Sequence, residues 1–179
     1  LGNETLRIEL VDGLQNILPA GTPLLVQTNS SNLVDAYKWT ELDAGTGLAM
    51  YALYSRISDR AEPAESLRAN VVYGLGLNAP TVLLSSLQLD DFRLGKPVVR
   101  EERKRGIRGA YFQLARIVLA SRGSQRWQVV ADIGQTQGQV VDVMRHLAAP
   151  ADAALAVANS VDAGCDKLAR IIAAADGFQ

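Results

Sequence analysis

Apolar residues recur at helical spacing along "NETLRIELVDGLQNIL" (3–18), at Leu6, Leu10, Leu14 and Ile17. The spacing predicts an opening amphipathic helix with Asn3 as its N-cap and "PAG" (19–21) as its stop. "TPLLVQT" (22–28) is short, continuously apolar and followed by Asn-Ser-Ser-Asn, the pattern of a buried strand and then a loop. Residues 29–46 are polar with scattered rings, Tyr37 and Trp39 among them, and read as a long loop that packs by those rings. From Gly47, "GLAMYALYSRISDR" sets Leu48, Tyr51, Tyr54 and Ile57 one turn apart, which predicts a second amphipathic helix.

The middle of the chain changes period. "SLRANVVYGLGL" (66–77) and "PTVLLSSLQLDDFRL" (80–94) are rich in Val and Leu, are separated by Gly, Asn and Pro, and read as strands. "GAYFQLARIVLAS" and "RWQVVADI", joined by Arg122-Gly123-Ser124-Gln125, predict a hairpin. "QVVDVMRHLA" (139–148) returns to helical spacing. A longer helix follows from Pro150, a residue suited to the first turn, with Gly177 as its C-cap. Leu155, Ala158, Val161, Cys165, Leu168 and Ile172 form its apolar stripe. The whole predicts one α+β domain over residues 1–179. Its sheet is mixed or antiparallel with a late hairpin, packed by amphipathic helices that include a long C-terminal one.

Composition narrows the chemistry. The chain has 179 residues, 48% apolar and 21% charged, and its net charge of −1 argues against a surface that is electropositive throughout. Cys165 is the only cysteine, so no internal disulfide framework or cysteine-based zinc cluster can form, and it is expected as a buried thiol. His146 is the only histidine, which excludes a multi-histidine metal site or a His pair within one chain; it is expected at the surface or boundary of its helix and not as a general base. No run is long and apolar enough to span a bilayer. Leu1 is not methionine, as in a mature or trimmed product with an address or anchor upstream.

Charge is unevenly placed. From Arg93 to Arg126 there are ten Lys and Arg against two Glu, a local +8, which leaves −9 for the remainder. Its densest part is "REERKRGIRG" (100–109), whose Arg100, Arg103, Lys104, Arg105 and Arg108 are the candidate partner contacts. Glu101 and Glu102 interrupt the run and would repel phosphate, and Tyr111 and Phe112 enter a strand as core residues. The plain expectation is a solvated loop between two strands; as a contact surface the run points away from nucleic acid and toward a protein partner of opposite charge or an anionic membrane surface.

Two glycine motifs offer a different chemistry. "ELDAGTG" (41–47) resembles the first motif of methyltransferases that use S-adenosylmethionine, with Asp43, Gly45 and Gly47 in the matching places and the third glycine missing. "YGLGLNAP" (73–80) is a degenerate dinucleotide fingerprint, but Pro80 and a strand-like run stand where the phosphate-binding helix should begin. Turns are the simpler expectation at both. No catalytic, cofactor or metal residue is assigned, and the expectation is of a protein that is not an enzyme.

Two stretches resemble envelope lipoproteins of Gram-negative bacteria. The expected order of helix, strand "TPLLVQT", loop "LVDAYKWTELDAGTG" and helix "LAMYALYSRISDRAEPAESLR" is similar to flagellar outer-membrane lipoprotein domains. Curli-export proteins and the N-terminal domain of TolB share a related layout. Late strands followed by the Ala-rich "ADAALAVANSVDAGCDKLARIIAA" resemble the auxiliary lipoproteins of lipid-transport ABC systems. The resemblance implies a periplasmic or outer-membrane-associated domain that builds an assembly or supports transport through protein contacts, as an oligomer and without a cofactor. The alternative is a small ligand-binding enzyme such as an S-adenosylmethionine-dependent transferase using the 43–47 turn.

Overall fold

Two long strands distant in sequence set the frame. In the computed structural model, which describes residues 4–55 and 66–176, the opening segment is strand β1 (Leu6–Ile17) and not a helix. It pairs antiparallel with β7 (Gly109–Leu119), from Leu6 opposite Leu119 to Ile17 opposite Gly109. The register slips between Gln15 and Ile17, where Asn16 adopts a φ of 57° and lets one extra residue bulge out. Leu6, Ile8 and Leu10 alternate with Arg7 and Glu9, so period two fits this segment as well as helical spacing does. The cross-strand pairing decides between them, helped by the Glu9–Arg116 ion pair at 2.9 Å. The expected cap Asn3 lies outside the described residues.

The other side of β7 holds β5 (Thr81–Leu83), completing a three-stranded sheet in the order β1-β7-β5. A second sheet runs β6 (Arg103–Arg105), β2 (Lys38–Leu42), β3 (Ala49–Leu53), β4 (Arg68–Leu75) and β8 (Gln128–Thr136), every neighbour antiparallel. The fold is α+β with antiparallel sheets. The late hairpin does not form: both edges of β7 are taken by β1 and β5, so residues 120–127 carry the chain across to β4, where β8 pairs instead.

Other local expectations reverse. "TPLLVQT" is not a strand; Pro23 opens the short helix α1 (Leu24–Asn29), in which the Thr28 hydroxyl donates to the Leu24 carbonyl at 2.9 Å. The expected loop 29–46 contains α2 (Ser31–Ala36) and β2. The expected helix from Gly47 is β3, in which Ala49, Tyr51 and Leu53 are buried and Met50 and Ala52 half-buried on the other face. A strand covered on both faces offers no polar side for its period to register. Ile57 and the rest of that expected helix lie outside the described residues. Residues 80–94 yield only β5 and then α3 (Leu89–Arg93). The helix–strand–loop–helix order behind the first resemblance is therefore not the order this chain forms.

The sheets face one another across Leu42, Ala49, Tyr51, Val72, Val82, Leu84 and Tyr111. On the outer face of the five-stranded sheet, α4 (Gln137–Leu147) adds Val140 and Leu147 to Leu48, Val71, Tyr73 and Leu75. A full capping box starts α4: Thr136 Oγ1 accepts the Gln139 N–H while Gln139 Oε1 accepts the Thr136 N–H at 2.9 Å. The long C-terminal helix is present as α5 (Pro150–Asp176). Only its base packs on the body, through Ala153 and Val157; every residue from Ala158 to Ala175 is exposed. Cys165 is thus exposed and not a core thiol, because α5 outruns the sheet it starts on. Its expected cap Gly177 lies outside the described residues.

Candidate functional site

The basic run folds as a strap along the edge of the five-stranded sheet, and a buried anion holds it there. Glu101 is 5% exposed. Its carboxylate accepts the Leu84 N–H at 2.8 Å, the Ser85 hydroxyl at 2.9 Å and the Gln88 side-chain amide at 2.9 Å, with Lys104 Nζ at 3.0 Å. Burial pushes this carboxyl up, but the hydrogen bonds from Gln88, Lys104, Ser85 and the Leu84 N–H outweigh it and hold the group below the ordinary glutamate value. Of the two glutamates that interrupt the run, Glu101 is its anchor and Glu102 is an exposed partner of Arg100 at 2.8 Å.

Strand β6 alternates strictly. Leu42 N–H donates to the Glu102 carbonyl at 2.9 Å and Gly106 N–H to the Lys38 carbonyl at 3.1 Å. Between these bonded positions, Arg103 and Arg105 stand opposite Glu41 and Trp39 and turn their own N–H and C=O groups to the free edge. Lys104 points to the Glu101 side, while Arg103 and Arg105 share the opposite face with Trp39. The guanidinium of Arg105 sits 3.9 Å from the Trp39 ring centre and that of Arg103 5.1 Å. Trp39 also stacks on the exposed Tyr54, with ring centres 6.2 Å apart. Glu41 accepts from Arg103 at 2.7 Å and from Trp39 Nε1 at 3.2 Å, and the Arg103 bond is the main cause holding its carboxyl below the ordinary value.

The five candidate contacts therefore separate. Arg103 and Arg105 form a cationic–aromatic face with Trp39 and Tyr54. Lys104 is committed to Glu101, Arg100 to Glu102, and Arg108 lines a separate cleft with Lys38 and Gln27. Among the described residues, Arg105 and Arg108 carry no ion pair. The sequence reading missed Trp39, Tyr54 and Glu41 as members of the face. Alternation of Lys38, Thr40 and Leu42 with Trp39 and Glu41 was the available signal, and it becomes visible only once 38–42 is taken as a strand. Tyr111 and Phe112 are buried, as expected.

The two glycine motifs meet. Gly45 and Gly47 lie in the turn between β2 and β3 and open no helix; Gly47 has a φ of 74° and donates to the Asp43 carbonyl at 2.8 Å. The Asp43 carboxylate is occupied by the Thr46 N–H at 2.9 Å and by the Thr46 hydroxyl. With Gly74 and Gly76 this turn lines a cavity of about 280 Å³ that also reaches Tyr111 and Gln113. Gln113 is 1% exposed, and its Nε2 has no hydrogen-bond partner among the described residues. His146 is exposed, and its Nδ1 lies 2.7 Å from the Asp142 carbonyl. Among the described residues, no group of three His, Cys, Asp or Glu side chains stands close enough to hold a metal ion, and no helix is long and apolar enough to cross a membrane. Neither a protein-family model nor a curated protein matches this sequence.

Proposed function

We propose that this chain is a non-enzymatic domain of the bacterial envelope that builds an assembly or supports a transport complex through protein contacts. The observation that carries the reading is the face on which Arg103 and Arg105 flank Trp39 beside the exposed Tyr54. Trp, Tyr and Arg are the residues that dominate protein–protein binding energy, because each combines a large apolar area with a polar handle. The free edge of β6 is short and charged, a form that discourages indiscriminate strand addition, so the side-chain face is the contact and an acidic protein surface its complement. The envelope location, as a periplasmic or outer-membrane lipoprotein, rests on the late strands followed by an Ala-rich terminal helix.

A photo-crosslinking residue in place of Tyr54, in cells of a Gram-negative host, tests this. A discrete protein adduct is expected, lost when Arg103→Glu and Arg105→Glu are added. No protein adduct, with salt-sensitive binding of the purified chain to anionic vesicles or DNA instead, would overturn it.

The orphaned Gln113 amide favours a second reading, a small ligand-binding enzyme using the 43–47 turn. The cavity beside Gln113 lies near the lower end of ligand-site sizes, about 300 Å³. Calorimetric titration with S-adenosylmethionine and nucleotides decides it: micromolar binding lost in Gln113→Leu supports a ligand site, and silence ends the idea.

A further inference from the structure

Helix α5 carries an apolar face that the body does not cover. Continuing the side packed on the body at Val157, the chain places Val157, Val161, Gly164, Leu168, Ile171 and Ala175 at alternating steps of four and three residues, a face that shares Val161 and Leu168 with the stripe expected from sequence and leaves Cys165 and Ile172 on its flank. This is the seven-residue repeat whose seam is filled by the side chains of another helix lying along it. Val161, Leu168 and Ile171 are 55%, 57% and 57% exposed. At the helical rise the seam runs for about 27 Å. In proteins most helical stability comes from packing an apolar face, and this one has no partner among the described residues.

The seam begins in a groove. At the base of α5, a space of about 610 Å³ opens between α5, α4 and β8, lined by Tyr73, Val129, Ala131, Val143, Val157 and Val161. A helix laid along the seam would end there.

We propose that the occupant is a second copy of this chain, its α5 antiparallel to the first about a two-fold axis at Asp166. In that register Val157 faces Ala175 of the second copy, Val161 faces its Ile171, and Gly164 faces its Leu168, each pair occurring twice. The glycine makes the hole that the leucine fills, and the small Ala175 passes where the base of α5 is most crowded. A parallel pairing in register would stack Gly164 on Gly164 and Ala175 on Ala175, leaving unfilled space in the seam, which costs stability in proportion to its volume. The antiparallel pairing is isologous and closes on two chains. A membrane surface is a poor occupant: the polar positions hold Asp152, Asp162 and Asp166 against Lys167 and Arg170, whereas interfacial helices carry an excess of cations there.

The inference rests on the reading of the chain as a contact domain, but it uses a surface apart from Arg103 and Arg105, so the two fail separately. Sedimentation velocity of the full chain at micromolar concentration is expected to give twice the chain mass. Leu168→Glu with Ile171→Glu should weaken association by about a hundredfold or more while leaving the near-ultraviolet circular dichroism of the sheets unchanged. In a Cys165→Ser background, a mixture of Val161→Cys and Ile171→Cys chains should cross-link with a short bismaleimide, and neither chain should do so alone. A monomer at all concentrations overturns the inference, as does a dimer that survives the double glutamate change or one in which Val161→Cys cross-links by itself. A monomer that still gives the adduct from position 54 overturns this inference and leaves the contact reading standing.

Discussion

Glu101 accepts the backbone N–H of Leu84 at 2.8 Å, so the most cationic run of the chain is fastened to the sheet by its own buried carboxylate. The hydrogen bonds of Glu101 to Ser85, Gln88 and Lys104 tie residues before β6 to the end of β5 and place β6 at the edge of the other sheet. Glu101→Gln is expected to destabilise the fold by about 3 kcal/mol, since an amide cannot accept all of these donors and leaves Lys104 without its counter-ion. Because the folded carboxyl is held below its ordinary value, its contribution is full above about pH 4.3 and is lost as pH falls through the folded value. Urea unfolding across the acid range should show the gap between parent and variant narrowing as pH drops.

The alkaline limb has a different origin. Tyr51 donates to the Ala110 carbonyl at 2.7 Å from within the core, and burial pushes its phenol well up, with Tyr111 beside it adding to the shift. Burial raises Tyr111 as well. A raised phenol stabilises the fold fully below the unfolded value of about 10, and that stabilisation disappears as pH climbs beyond it. Absorbance titration at alkaline pH should show two of the five tyrosines ionising only as the protein unfolds. Tyr51→Phe is expected to cost about 1 kcal/mol at neutral pH.

Gly74 and Gln113 form a coupled pair in the core. A β-carbon on Gly74 would collide with the Gln113 side-chain amide, which packs directly over the strand. Gly74→Ala should cost about 2 kcal/mol as an overpacking change. Adding Gln113→Ala should recover part of that loss, a non-additivity that thermal unfolding of the four-member cycle will measure.

The capping box at the head of α4 is open to a simple check. Thr136→Ala removes the acceptor for the Gln139 N–H and should lower stability by about 1 kcal/mol. Since α4 covers the outer core through Val140 and Leu147, loss of α4 helicity should accompany loss of the tertiary signal in the same transition.

Where structure is local, it was legible. Pro150 at the head of α5 is an end signal read within one turn of chain, and both C-terminal helices form close to the residues expected, α4 starting two residues before 139. The Val-rich run that becomes β4 was also plain, being flanked by turn residues. The basic run stands out in the sequence by charge alone. Its division into an anchored Lys104 and an exposed Arg103–Arg105 face depends on Trp39 and Glu41, which lie more than sixty residues away in the chain.

The α+β class, the two C-terminal helices and the place where positive charge concentrates can be read from residue order, because helical period, a first-turn proline and charge are properties of neighbouring residues. Long-range pairing makes residues 6–17 a strand, parts β7 and β8 into different sheets and, among the described residues, leaves the stripe of α5 uncovered. Each of these depends on a partner remote in sequence. Leu6 to Leu14 satisfies two periods at once and is settled by β7. The edges of β7 are already filled when β8 arrives, and among the described residues no element of the body extends far enough to meet Leu168.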